Sequence, residues 1–134
     1  MPRRPVAGRS RLQQGSAIVD FTLVSVVLIP LVFGVLQLAL IWHVKNTLTA
    51  AASEGAHYGA AYDKTALDGG RRTRAVVLDV FGADFEDRVS ARDTTIGGQP
   101  AVEVDVAARV PVLAFWGPTI RLEVSGHAVR ERLP

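Results

Sequence analysis

The sequence predicts an α+β chain: an N-terminal transmembrane α-helix extended into a further helical segment, then a second helix and a three-stranded antiparallel β-sheet. Three observations predict it. No charged residue occurs from Phe21 to Trp42. The stretch that follows, Val44–Tyr62, is rich in alanine and glycine and holds no proline. The C-terminal part then alternates apolar and polar residues with the period of a strand.

The uncharged stretch comes first. At about 1.5 Å per residue, Phe21–Trp42 makes a helix of about 33 Å, enough for a hydrocarbon core of about 30 Å. Its polar members are Thr22, Ser25 and Gln37. Thr22 and Ser25 can bond back onto helical carbonyls, so they cost little there. Pro30 removes one backbone donor and predicts a kink, which a membrane span tolerates where neighbours compensate. Trp42 and His43 sit at the outer boundary, where amphipathic rings prefer to lie.

Charge gives the orientation. Arg3, Arg4, Arg9 and Arg11 precede the span, residues 1–15 hold no acid, and only Lys45 follows closely. The positive-inside rule then predicts three parts. Residues 1–15 form a basic cytoplasmic leader, 16–43 the transmembrane helix, and 44–134 an extracytoplasmic α+β domain. The expected location is the cell inner or plasma membrane, with membrane lipid as a partner. Four of the 15 Lys and Arg residues lie in the leader, leaving 11 against 13 acids elsewhere. The basic balance is therefore a topology signal and argues against a nucleic-acid partner. A cleavable secretory signal fits less well. Its apolar region would be about 7–15 residues long, and the small residues Ala50-Ala51-Ala52 lie well past the apolar run.

Beyond the span, Ala51, Gly55 and Gly59 fall at i, i+4 and i+8 and make one smooth helical stripe. Such a stripe lets another backbone approach closely. Its partner is either another subunit or the chain's own sheet. Asp63–Gly70 reads as a loop or helix break, punctuated by Gly69-Gly70. A second helix is expected over Arg71–Phe81, with Ala75, Leu78 and Phe81 or Phe85 as its apolar face. Arg71, Arg72 and Arg74 read as a solvated face.

Val89–Ile96 predicts a first strand, ended by a hairpin turn at Gly97-Gly98. In the second, Val102, Val104, Val106, Ala108 and Val110 alternate with Glu103, Asp105, Ala107 and Arg109. In the third, Ile120, Leu122 and Val124 alternate with Arg121 and Glu123. Pro111–Pro118 connects the last two, and its Phe115-Trp116 reads as a covering for the sheet in preference to an exposed aromatic contact. The expectation is an antiparallel meander packed on one or two helices.

No catalytic constellation stands out. Cys is absent, which removes disulfides and thiolate metal sites and leaves the redox compartment open. No two of His43, His57 and His127 have the i, i+4 spacing of a helical metal site. Asp84, Glu86 and Asp87 cluster but lack the pattern of a dedicated Ca²⁺ loop. The sequence therefore predicts a non-enzymatic protein without cofactor or metal.

One acid, Asp20, lies at the edge of the span, where a carboxylate either sits at headgroup level as a helix-start residue that suits the dipole or has a partner or a function. The stretch reads Arg11-Leu-Gln-Gln-Gly15-Ser16-Ala-Ile-Val-Asp20-Phe21. It resembles the processing site of type IV pilin-like proteins. That resemblance implies cleavage between Gly15 and Ser16 by a prepilin peptidase, and a role for Asp20 and Phe21 in assembly. The carboxylate would pair with the new α-amino group of a neighbouring subunit.

The likeness extends past the span. Gly15, Phe21, Pro30, Gly34, Asn46, Ala51, Ala52, Glu54, Gly55 and Ala56 stand in the order of the TadE-like family of tight-adherence pilus assembly proteins. Residues 15–58 look like that family's signature, and the closing Ala128-Val-Arg-Glu-Arg-Leu-Pro134 looks like its usual end. Asp20 stands where Glu is usual, and Ser53 and His57 where Arg is frequent. The resemblance implies a pseudopilin-like member of an oligomeric assembly that builds a tight-adherence pilus or a related secretion system. Its helix would contact other subunits through Pro30, Gly34, Ala51, Gly55 and Gly59, and its architecture would be pilin-like. The alternative is a membrane-tethered extracytoplasmic binding module whose helix serves only as an anchor. An anchored enzyme is disfavoured by the lack of clustered titratable residues.

Overall fold

The computed structural model describes residues 10–83, 85, 87–111 and 118–131. Its elements follow the order α1 (Ser10–Ala60), α2 (Ala66–Phe81), β1 (Asp87–Ile96), β2 (Gln99–Pro111) and β3 (Thr119–Val129). The fold is α+β. The chain forms two compact units that divide between Leu38 and Ala39, inside α1. The predicted cluster Asp84, Glu86 and Asp87 and the pair Phe115-Trp116 fall outside the described residues or side chains, as do Arg3, Arg4, Arg9 and Arg11.

In the first unit α1 runs without interruption through Gly15 and Pro30. Its large apolar side chains are exposed, from Ile18 to Leu38. Thr22 satisfies its hydroxyl on its own helix, donating to the Ile18 carbonyl at 2.8 Å. Gly15–Ala60 is long and apolar enough to cross a membrane.

The second unit begins with the rest of α1. Here burial changes abruptly: Val44, Leu48, Ala51, Ala52, Ala56 and Ala60 are all buried. They meet the inner face of the sheet, where Val102, Val104, Val106, Ala108 and Val110 of β2 are also buried. These β2 residues are alternate positions, and a strand places alternate side chains on one face. The sheet is an antiparallel meander in the order β1-β2-β3. β1 and β2 are joined by Gly97 and Gly98, with φ of 57° and 78°. Positive φ at both turn residues matches the twist of a two-residue hairpin, and glycine adopts it without a Cβ clash.

Helix α2 starts earlier than the sequence suggested, at Ala66 rather than Arg71. Thr65 and Asp68 make a capping box. The Thr65 hydroxyl accepts from the Asp68 N–H at 3.2 Å, and an Asp68 carboxylate oxygen accepts from the Thr65 N–H at 3.0 Å. That arrangement satisfies two end-of-helix donors and carries the helix straight through Gly69-Gly70. The buried face of α2 also differs from the expectation. It consists of Ala66, Gly69, Thr73 and Val77, whereas Ala75 and Leu78 are exposed. Phe81 and Phe85 are half-buried and stack with ring centroids 4.5 Å apart.

Candidate functional site

The small-residue stripe on α1 has a specific occupant. A Cβ added to Gly55 would lie 1.8 Å from the Thr73 hydroxyl oxygen and 2.6 Å from the Gly69 carbonyl oxygen. One added to Gly59 would lie 2.9 Å from the Thr65 carbonyl oxygen and 3.1 Å from the Gly69 Cα. The reverse holds at Gly69, whose Cβ would meet the Gly55 carbonyl oxygen at 2.5 Å. The two helices therefore touch backbone to backbone. Thr73 closes the seam: its hydroxyl, fully buried, donates to the Ala51 carbonyl at 3.2 Å. At the rim, Arg72 of α2 binds Glu54 of α1 at 2.7 and 2.8 Å.

Ala51, Gly55 and Gly59 are thus brought together, and α2 of the same chain lies against them. The sequence offered another subunit or the chain's own sheet as the partner of this stripe. Within the chain it is α2 that lies there. Gly69 was read from sequence as part of a helix break, and Thr73 was not singled out. Their signal was the Thr65-x-x-Asp68 box, which starts α2 early enough to place both on a helix.

A second close approach was also unforeseen. Gly126 of β3 lies against α1, where its missing Cβ would sit 2.4 Å from the Ala52 carbonyl carbon and the Ser53 nitrogen. Farther along, the Glu131 N–H donates to the Ala60 carbonyl at 3.1 Å, and Arg130 bonds the Lys64 carbonyl at 3.2 Å and pairs with Asp93.

The remaining candidate residues lie in the first unit. Gly15, Ser16, Asp20, Phe21, Pro30 and Gly34 are all exposed, Phe21 by 73%. A Cβ at Gly15 or Gly34 would meet nothing within 4 Å. Gly15, Ser16, Asp20 and Phe21 lie within the first turns of α1, with Gly15 and Asp20 five residues apart.

The outward face of the sheet is charged. Arg92 binds Glu103 and Asp105, each at 2.8 Å, and Arg121 binds Glu123 at 3.0 Å. His127 lies 3.8 Å from Glu103 and 3.4 Å from the Ser125 hydroxyl. Between these pairs is a shallow depression of about 400 Å³, floored by Ala107 and bordered by Arg88, Ser90, Asp105, Glu123 and Ser125. Among the described residues no group of three or more His, Asp or Glu is placed to hold a metal ion.

Two groups near the start of α2 titrate away from their ordinary values. The Thr65 hydroxyl and N–H hold the Asp68 carboxyl below the usual carboxylate range. The hydrogen bond and charge of Asp63 raise Lys64.

Residues 15–57 match the family model of TadE-like protein. The match covers the apolar run and most of the buried half of α1, and it ends before α2. No curated protein and no solved structure matches the chain.

Proposed function

We propose that this chain is a non-enzymatic, single-pass, pseudopilin-like membrane protein that takes part in assembling a tight-adherence pilus or a related secretion system. One observation carries the reading: the TadE-like match falls on the one helix, among the described residues, that is long and apolar enough to cross a membrane. Together they fit a membrane protein related to such pili. In this reading the basic leader stays in the cytoplasm. The exposed apolar side chains of α1 face lipid and the helices of other subunits, and the sheet with α2 lies outside the membrane.

Processing follows from the same reading. A prepilin peptidase cuts after Gly15 and frees the α-amino group of Ser16. Asp20 then gains a cation to pair with, supplied by a neighbouring subunit. A carboxylate at the edge of hydrocarbon is costly unless paired, so this ion pair would favour the assembled state.

The test is the N-terminal residue of the mature protein, read by mass spectrometry of membrane fractions with and without the prepilin peptidase. A chain beginning at Ser16 only when the peptidase is present supports the reading. An intact leader in both strains overturns processing and shifts the weight to a tethered binding module.

A further inference from the structure

Among the described residues, one buried side-chain oxygen has no hydrogen-bond partner: Oε1 of Gln37. Gln37 lies in the first unit and is the last of the polar residues in the uncharged run. Thr22, near the start of that run, satisfies its hydroxyl on its own helix. Oε1 has no such remedy. It is an acceptor and needs a donor, and in mid-helix each backbone N–H is already given to the carbonyl four residues back.

Position removes the other remedies. Five residues separate Gln37 from Trp42, about 7–8 Å of helix. With Trp42 at the outer boundary, the Gln37 backbone lies inside the hydrocarbon. A helical side chain tilts toward the N-terminus of its helix. Here that direction leads deeper, away from the outer interface. The amide therefore turns away from interfacial water, and lipid tails offer it no hydrogen bond. A carboxamide left unbonded in such surroundings is costly.

The same face of α1 is open to a neighbour. Gly34 and Pro30 precede Gln37 by three and seven residues, about one and two helical turns. A Cβ at Gly34 would meet nothing within 4 Å. Pro30 has no N–H, so the Val26 carbonyl lacks its helical donor. Gln37 is itself only half-buried. The last torsion of a glutamine is broad, so rotation presents either end of the amide outward.

We infer that two copies of this chain pair within the membrane through Gln37, carboxamide to carboxamide. The inference rests on the reading that the apolar run spans a bilayer. The partner is a second copy because the amide is complementary to itself: each Nε2 donates to the other's Oε1. Copies inserted the same way carry Gln37 at one depth. A two-fold axis along the bilayer normal then brings the two amides together. Gly34, one turn deeper, lets the backbones approach. Apolar contacts make up the rest of the seam, and the single polar pair fixes its register.

The chain has no cysteine, so single cysteines report cleanly. The full chain, labelled at Asp79→Cys on the exposed side of α2, is reconstituted in phosphatidylcholine vesicles. Energy transfer between donor- and acceptor-labelled copies, followed as lipid is added, gives the dimer dissociation constant. Wild type should dimerise. Gln37→Leu should weaken the dimer roughly tenfold, and Gln37→Asn, which keeps the carboxamide, by less than roughly threefold. Leucine suits a lipid-facing helix, so that variant still inserts. Oxidative cross-linking checks the face. Phe33→Cys, about 40° round the helix from Gln37, should give disulfide dimers, and Val35→Cys, about 160° away, should give none. A wild-type chain that stays monomeric at every lipid ratio overturns the inference and leaves the amide to a different subunit. So does a Gln37→Leu variant that associates as well as wild type, or equal cross-linking at positions 33 and 35. A nitroxide at Leu28→Cys separates the two readings. Water access there would sink the membrane span itself, whereas a lipid-buried label in a monomeric chain would sink this inference alone.

Discussion

Gly126 of β3 lies so close to Ser53 of α1 that a Cβ at Gly126 would stand 2.4 Å from the Ser53 nitrogen. The atoms it would strike are backbone, so no rotamer change can relieve the clash. Gly126→Ala is therefore expected to cost about 3 kcal/mol, as overpacking of a dense interior does. Chemical unfolding of the full chain in detergent, followed by near-ultraviolet circular dichroism, measures it. A loss within a few tenths would mean that β3 can slide on α1.

The seam between α1 and α2 makes a sharper contrast. Alanine in place of glycine ordinarily strengthens a helix by about 1 kcal/mol. Gly34→Ala, with nothing within 4 Å, should follow that rule. Gly55→Ala should reverse it and destabilise by about 2 kcal/mol or more, because Thr73 and the Gly69 carbonyl occupy the space. Truncating Thr73 as well should not rescue it, since the Gly69 backbone remains. The same unfolding experiment decides, and equal effects at Gly34 and Gly55 would refute the seam.

Thr73→Val tests the buried hydrogen bond to Ala51. The change keeps the shape and leaves the Ala51 carbonyl without this donor. A loss of about 1–2 kcal/mol is expected. Retained amide-exchange protection through both helices would show that the bond contributes little.

Acid should loosen the start of α2. The folded pKa of Asp68 is depressed by its bonds to Thr65. Its contribution is thus fully present above the ordinary carboxylate value of about 3.9 and is lost as pH falls through the folded value. Carboxyl ¹³C shifts should show Asp68 titrating below that ordinary value in the intact chain. In Thr65→Ala the midpoint should move up toward it. An unchanged midpoint would assign the shift to some other cause.

Asp20→Ala tests the proposed ion pair. The variant should reach the membrane in normal amount yet give less pilus, with Asp20→Glu close to wild type. Normal pilus output from Asp20→Ala would end that part of the proposal.

Much of this architecture was legible in the sequence because it depends on local period. The alternation from Val102 to Val110 survives as the buried row of β2, since a central strand facing helices on one side must alternate. The uncharged run to Trp42 was equally plain. The errors arose where a long-range contact overrode a local rule. Gly69-Gly70 reads as a helix breaker, yet Gly69 sits inside α2 because only a glycine fits against Gly55. Ala75 and Leu78 looked like the inner face. Thr73 took that place by turning its hydroxyl onto the Ala51 carbonyl, a partner 22 residues away. β3 looked shorter than it is, because Ser125 and Gly126 interrupt the apolar series where the strand presses on α1. The resemblance around Gly15 and Asp20 needed no fold at all, only order along the chain.

The seam of Gly55, Gly59 and Gly69, together with Gly126, also governs how this protein can vary. These positions are defined by hydrogen alone, so each admits a single amino acid. A saturation survey of variants would score them among the least replaceable in the chain, although none bears a reactive group. The charged outer face of the sheet has the opposite character: its side chains are held by ion pairs at the surface, not by close backbone packing. Replaceability and chemical role are thus uncoupled here: the positions with least room for change keep the shape and bear no reactive group.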